Sequence, residues 1–278
     1  MTAAPFEFFD LHVLRATRIS PGFTRVTLGG ERLGQFASGG RDQRCKLFLP
    51  RPGQDRAAVP RGMAAEWWPA WQRMDPEERA VLRTYTIREQ RREPDELDID
   101  FALHGDTGTA CHWAQCARPG DPVTLLGPLD EDNYGVDFRP PPDADWILLT
   151  ADATALPAVA GILAWLPPGT PAKVWIEVEH AADRQELSTK ADADITWLCR
   201  EELPRGHRTA IVDSLRAAVL PAGAPYAWIA GEAAAVRDQR RHLVNDRCVD
   251  RERITFTGYW RRGISEEDLI AEAIAAAA

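Results

Sequence analysis

The sequence predicts a β domain followed by a parallel α/β domain, and three observations predict it. The first half is a series of short strand-like apolar runs separated by Gly, Pro and Asp turns. The second half alternates short apolar runs with segments of helical spacing. Between them lies Phe138-Arg139-Pro140-Pro141-Pro142-Asp143, a proline-rich stretch of the kind that joins domains. The expected division is therefore residues 1–139 and 140–278.

The elements follow in order. Phe6–Ile19 and Phe23–Leu28 read as strands joined by Ser20-Pro21-Gly22. Gly29-Gly30 turns the chain, and Cys45–Leu49 is the next strand. Arg51–Arg79, rich in Arg, Pro and Trp, reads as an inserted loop with a short helix. Arg83–Arg88, Leu97–Leu103 and Val123–Leu126 complete a set expected of a barrel or sandwich. In the second half, Trp146–Thr150 is an apolar run of the type covered on both faces of a parallel sheet. Strands are expected at Lys173–Val178, Ile195–Cys199, Tyr226–Ala230 and Ile254–Thr257. Helices are expected at Leu156–Leu166, Ala210–Val219 and Ala233–Asn245. Ser265 as an N-cap, followed by two glutamates, predicts a last helix over Ser265–Ala278.

Composition narrows the function. A chain of 278 residues buries a core without disulfide or metal staples. Asp plus Glu (42) exceed Lys plus Arg (33), for a net charge of −9, which argues against a general nucleic-acid binder. Charges interrupt every apolar stretch before the ~18 positions a membrane span needs. The N-terminal MTAAPFEFFDLHV lacks the pattern of a secretory signal. The five cysteines and six histidines are scattered, with no CxxC, HExxH or His/Cys cluster. Reduced thiols in a cytoplasm are expected, without a protein-bound metal or an iron–sulfur cluster.

Five stretches are candidates for chemistry. In Arg83-Thr84-Tyr85-Thr86-Ile87-Arg88, strand geometry puts Arg83 and Tyr85 on one face, and Thr84, Thr86 and Arg88 on the other. A tyrosine ring, an arginine for phosphate and a threonine hydroxyl suit a flavin nucleotide, though a polar-faced surface strand reads the same way. The stretch 104–113, HGDTGTACHW, links a strand to a helix with Thr109 as candidate N-cap. Such helix starts bind phosphates; alone the stretch reads as an ordinary strand–turn–helix link, and beside the arginine–tyrosine strand a flavin pyrophosphate is the better reading. Asp152-Ala153-Thr154 and Gly231-Glu232 both follow strands of the α/β domain, where ligands of such folds bind; on its own the first reads more readily as an N-cap of the next helix, and Glu232 is equally explained by the helix dipole. No G-x-G-x-x-G is present, so a nicotinamide site must use other contacts. Finally, Arg237–Arg262 holds eight arginines against four acids, a local excess of four, and ends in Gly258-Tyr259-Trp260-Arg261-Arg262-Gly263. Mixed-charge helix surface accounts for several of them, while an aromatic pair beside two arginines suits an anionic aromatic ligand.

Taken together, these stretches resemble one family, the siderophore-interacting proteins, which are FAD-dependent ferric-siderophore reductases related to ferredoxin–NADP reductases. The resemblance runs through KLFLP (46–50), RTYTIR (83–88), DFALHGDTGTACHWA (100–114) and ARPGDPVTLLGP (117–128). It continues through DWILLTADATALPAVAGIL (145–163), YAWIAGEAAAVRDQRRHLV (226–244) and ITFTGYWRRGISEED (254–268). It implies an antiparallel six-stranded Greek-key flavin-binding barrel followed by a parallel-sheet nucleotide-binding-like domain. FAD would be held by Arg83, Thr84, Tyr85, Thr86, His104, Thr107, Ala110, Trp113 and Thr154. NAD(P)H as electron donor would meet Asp152, Gly231 and Glu232. A ferric siderophore, the substrate, would be docked by Lys46, with Arg240, Arg241, Arg261 and Arg262 completing a basic pocket. Reduced ferredoxin is the alternative donor.

This chain departs from the family pattern at four positions. Cys111 and His112 stand where serine and arginine are common. Ala151 and Ala153 replace a glycine and a glutamate. The alanines put nicotinamide docking in question, so two alternatives stand beside a ferric-siderophore reductase. One is a flavin reductase with another small acceptor, the other a siderophore-binding protein with weakened catalysis.

Overall fold

The computed structural model describes residues 5–62, 64–103, 108–204, 206–207, 209–264 and 268–272. These form two compact units. One runs to Asp137 and includes Ala160–Trp165; the other comprises Phe138–Val159 and resumes at Leu166.

The first unit contains β1 (Phe6–Ser20), β2 (Phe23–Gly29), β3 (Arg44–Leu49), α1 (Trp67–Gln72), β4 (Val81–Thr86), β5 (Glu89–Arg91), β6 (Glu96–Ala102), α2 (Thr109–Cys116) and β7 (Pro122–Pro128). Its strands make one antiparallel sheet in the order β4-β3-β7-β1-β2-β6-β5. The sheet curls. The Arg88 N–H, just past β4, donates to the Asp98 carbonyl on β6 at 2.8 Å, and Tyr85 of β4 packs on Phe101 of β6. Alternation decides which face is inside. Phe9, Leu11 and Val13 of β1, Leu47 of β3, Ile99 and Phe101 of β6 and Leu125 of β7 share one core.

The sheet has seven strands, not the six expected. The extra one, β5, is Glu-Gln-Arg, three polar residues with no hydrophobic alternation to announce it. Ion pairs hold it instead: Arg91 reaches Asp98 at 2.7 Å and Glu96 at 2.8 Å, both on β6. Arg25 adds a fork onto Asp100 at 2.6 and 2.9 Å. The two aspartates are buried on the face of β6 opposite the core, and these guanidiniums compensate them. The inserted segment behaves as expected, with one short helix, α1. The α2 helix begins one residue earlier than expected. Gly108 is its N-cap and Thr109 its first helical residue.

The second unit contains β8 (Trp146–Asp152), α3 (Leu156–Trp165), β9 (Pro171–Val178), β10 (Asp192–Cys199), α4 (Ala210–Ala217), β11 (Pro225–Glu232), α5 (Ala233–Asn245) and β12 (Ile254–Trp260). The last residues of α3 group with the first unit. The sheet is wholly parallel, in the order β10-β9-β8-β11-β12. Trp146–Ala151 is buried at every position, as a strand covered on both faces requires. The order reverses between β8 and β11, and the carboxyl ends of those two strands flank the crevice where such sheets bind ligands. Of the expected C-terminal helix, 268–272 is helical and the remainder lies outside the described residues.

Candidate functional site

The candidate flavin strand, β4, is an edge strand of the first sheet, paired only with β3 in that sheet. Tyr85 is half-buried. Its ring lies 4.4 Å from Phe101, and Phe101 lies 5.7 Å from Trp113. This run of rings ties β4 to β6 and β6 to α2, and so fixes the start of α2 relative to β4. The Arg83 guanidinium donates to the Leu82 carbonyl at 2.8 Å. Thr84 is exposed on the opposite face and accepts from Lys46 Nζ at 2.8 Å. Thr86 is buried beside Arg44 in the β3–β4 register.

Ala110 and Trp113 turn into the core. Their side chains therefore set the position of α2, and a phosphate could meet only the N–H groups of its first turn, which helix geometry leaves without intrahelical acceptors. His104 and Thr107 lie outside the described residues. The donor set that remains is a guanidinium, a tyrosine ring, threonine hydroxyls and a glycine-started helix. That set fits a flavin nucleotide.

The second unit has a pocket at the carboxyl ends of β8, β9, β10 and β11. Its lining includes Asp152, Glu177, Arg200, Thr209, Gly231 and Gln239. Three features give it character. Gln239 Oε1 is buried and has no hydrogen-bond partner among the described residues, so an acceptor waits there for a donor. Glu177 is buried at the end of β9 and ion-pairs with Arg200. Burial pushes its carboxyl up, Arg200 pulls it down, and Asp152 and Glu179 push it up again, leaving it above the ordinary range. Gly231 has φ +143°, and a Cβ there would lie 2.7 Å from the Asp152 carboxylate, so only glycine fits. An unpaired amide acceptor and a guanidinium are the groups that this pocket offers to a ligand carrying hydrogen-bond donors and negative charge.

The three expected nicotinamide residues are brought together here, but the two acids are already engaged. Asp152 accepts from the Thr154 N–H (2.9 Å), Thr154 Oγ1 (2.5 Å), the Glu232 N–H (2.8 Å) and Trp260 Nε1 (2.8 Å). Glu232 caps α5, accepting from Ala234 and Ala235 at 2.8 and 2.9 Å. Both carboxylates thus shape the wall. The same bonds make Thr154 part of the β8–α3 turn. Glu177, Arg200 and Gln239 were not singled out from sequence. The available signal was Glu177, a charge within the apolar run VWIEV at a strand's carboxyl end.

The arginine-rich segment divides. Arg247 donates to the carbonyls of Leu215, Arg216 and Ala218 at 2.7–3.0 Å, capping α4, and Arg253 pairs with Asp143. Those two are structural. Arg240 lies over Phe256 at 4.5 Å and Arg262 over Trp260 at 5.4 Å. Arg241 pairs with Asp238 at 3.4 Å, and Arg261 with Glu272 at 2.5 Å. Each of the four expected substrate arginines therefore has a local partner.

Among the described residues, no group of three or more His, Cys, Asp or Glu side chains could hold a metal ion, and no helix is long and apolar enough to cross a membrane.

Comparison with known proteins covers both units. Residues 12–132 match the siderophore-interacting FAD-binding domain, and residues 144–263 match the siderophore-interacting protein family. The chain is 31% identical over 261 residues to the ferric vibriobactin reductase ViuB of Vibrio cholerae, covering 92% of this chain and 90% of that one. It is 33% identical over 260 residues to the NADPH-dependent ferric-chelate reductase of Escherichia coli, covering 91% and 93%. The crystal structure of SipS from Aeromonas hydrophila superposes with a TM-score of 0.77 at 31% identity, over 98% of each chain.

Proposed function

Because this chain belongs to the siderophore-interacting protein family, we propose that it is an FAD-dependent reductase of ferric siderophores, with NAD(P)H as electron donor. The observation that carries the reading is the pairing of two sites in one chain: a flavin-type edge strand, RTYT, and a polar pocket with an unpaired amide acceptor. Residues 1–139 act as the FAD-binding domain and 140–278 as the NAD(P)H-binding-like domain.

FAD supplies the exchange between the two-electron donor and the one-electron acceptor Fe(III). The chain supplies position and charge. Arg83 and the first turn of α2 neutralise the diphosphate. Tyr85 offers its ring and Thr86 its hydroxyl to the flavin. Gln239 accepts a hydrogen bond from the donor nucleotide, and Arg200 meets a phosphate. Lys46 attracts the anionic chelate, with Arg240, Arg241, Arg261 and Arg262 adding to the basic field. Oxygen ligands hold Fe(II) more weakly than Fe(III), so reduction itself frees the metal, and no protein iron ligand is needed.

A nicotinamide is favoured over reduced ferredoxin because Gln239 Oε1, a buried acceptor without a partner among the described residues, lines this pocket. The free cysteines, two of them exposed, suit a cytoplasmic setting. The test is an absorbance spectrum of the purified protein, followed by anaerobic titration with NADH and NADPH and then a ferric siderophore. Flavin bands, bleaching by nicotinamide and re-oxidation by the ferric chelate are expected. A colourless protein that refuses FAD on reconstitution would sink the reading.

A further inference from the structure

The pocket of the second unit has a charged rim. β9 and β10 run side by side in parallel, with Val178 opposite Cys199, so the chain leaves both strands at the same level. After β9 it passes through Glu179 and His180 into the 3-10 turn Ala181–Asp183. After β10 it enters the 3-10 turn Arg200–Glu202, which the Leu203 N–H closes onto the Arg200 carbonyl at 3.1 Å. Three successive residues of this second turn reach across to the segment after β9. Arg200 ion-pairs with Glu177, and both line the pocket. Glu201 accepts from His180 Nδ1 at 3.0 Å and from the Ala181 N–H at 2.6 Å. Glu202 pairs with Arg184 at 3.4 Å. Adjacent residues of one tight turn share its backbone arrangement, so whatever fixes Glu201 also fixes the stem of Arg200.

One of these three ties changes its charge near neutral pH. The side chains of His180 and Glu201 are 42% and 45% exposed, so both exchange protons freely with solvent. The charges around His180 are Glu201 from across the rim and Asp183 and Glu179 from its own segment. Arg184 and Arg200 are taken by Glu202 and Glu177. The hydrogen bond to Glu201 holds the imidazole above its ordinary 6.5, against a small opposing effect of burial, and the charges of Asp183, Glu201 and Glu179 add to it. The Ala181 N–H and then His180 hold the Glu201 carboxyl below its ordinary range. The pair is therefore imidazolium and carboxylate in mild acid, and the cation is lost as pH rises through the raised value. A neutral imidazole leaves a hydrogen bond about half as strong.

We propose that His180 and Glu201 are positioning residues for the donor nucleotide: their charged pair fixes the turn after β10, and with it the Arg200 guanidinium in the pocket, so the donor binds more weakly once His180 loses its proton. This rests on the reading of the pocket as the NAD(P)H site and adds a pH dependence to it. The pair touches neither the donor nor the flavin in this scheme. It acts through Arg200, and its effect therefore falls on KM and not on kcat.

The test uses the full flavin-loaded chain, with NADH and NADPH as donors and a ferric siderophore as acceptor, between about pH 6 and pH 9. His180→Asn keeps an N–H donor without the charge. Glu201→Gln still accepts from Ala181 but carries no charge. Titration of the donor, the flavin or Glu177 is common to all three proteins, so the ratio of variant to wild-type donor KM isolates the pair. That ratio should be about two to four at the acid end, the size an exposed ion pair supplies, and fall to about one at the alkaline end, with kcat unchanged. Should one variant fail to fold, the other carries the test alone. A ratio that stays constant across the range would overturn the positioning role while the donor site stands. A wild-type flavoprotein that neither nicotinamide bleaches would instead overturn the donor reading, and the positioning role with it.

Discussion

The indole N–H of Trp260 donates to Oδ2 of Asp152 at 2.8 Å, joining the end of β12 to the end of β8 across the intervening β11. The same oxygen accepts the Glu232 N–H from β11. One carboxylate therefore fixes the ends of all three strands that frame the second unit's crevice. Asp152→Asn keeps one oxygen but turns an NH2 toward donors. Loss of these bonds should lower stability by about 1–3 kcal/mol in urea unfolding, and raise the KM for NAD(P)H about tenfold with flavin content unchanged. Trp260→Phe removes a single bond and should cost about 1–2 kcal/mol. An Asp152→Asn protein with wild-type KM would show that the tie does not organise the pocket.

Gln239 predicts the opposite balance. Its Oε1 is already buried and unpaired, which costs stability in the unliganded protein. Gln239→Leu should therefore leave stability unchanged or raise it by about 1 kcal/mol, while KM for the nicotinamide rises several-fold. Loss of stability without change in KM would mean that the amide serves the fold alone.

The outlines of both units are legible in the sequence, because alternation in Phe6–Ile19 and unbroken apolarity in Trp146–Thr150 follow directly from which faces are covered. The β5 strand is not, because Glu89, Gln90 and Arg91 are held by ion pairs to β6 that only the folded register creates. The site divides in the same way. RTYT is a local motif and can be read from sequence. The pocket joins Asp152, Glu177, Arg200, Gly231 and Gln239 from five separate elements, and no local pattern announces that convergence. The turn role of Asp152 is the reading the sequence favours when taken alone, whereas for Glu232 cap and ligand contact are evenly balanced until its hydrogen bonds to the α5 start are seen.

Arg83 and Tyr85 separate binding from packing. Tyr85 also packs on Phe101, so Tyr85→Ala should lose about 2–4 kcal/mol of stability as well as FAD. Arg83 is half-buried and lies outside the packed hydrophobic core, so Arg83→Ala should cost less stability than Tyr85→Ala and still release FAD on gel filtration. Tyr85→Phe keeps the ring and should retain both. The ratio of flavin absorbance to protein absorbance after gel filtration reads all three, and unchanged flavin in Arg83→Ala and Tyr85→Ala would refute the placement of FAD on β4.

Acid should unfold the first unit through the face that carries β5. Hydrogen bonds from Arg15 and Arg91 hold the Glu96 carboxyl down at about 2, against an ordinary 4.5. Asp98 is pushed up by burial, but the bonds from Arg91 and Thr27 outweigh this and leave it below its ordinary 3.8. Both groups are more acidic folded than unfolded, so both stabilise the protein fully above pH 4.5, and that contribution is lost as pH falls toward 2. Glu96→Gln removes one of the two carboxylates. Its urea midpoint should be lower than wild type at pH 7, the difference shrinking between pH 4.5 and 2, and salt should reduce it further because Arg15 is half exposed. A difference that stays constant across that range would mean that Glu96 stabilises the sheet by packing and not by charge.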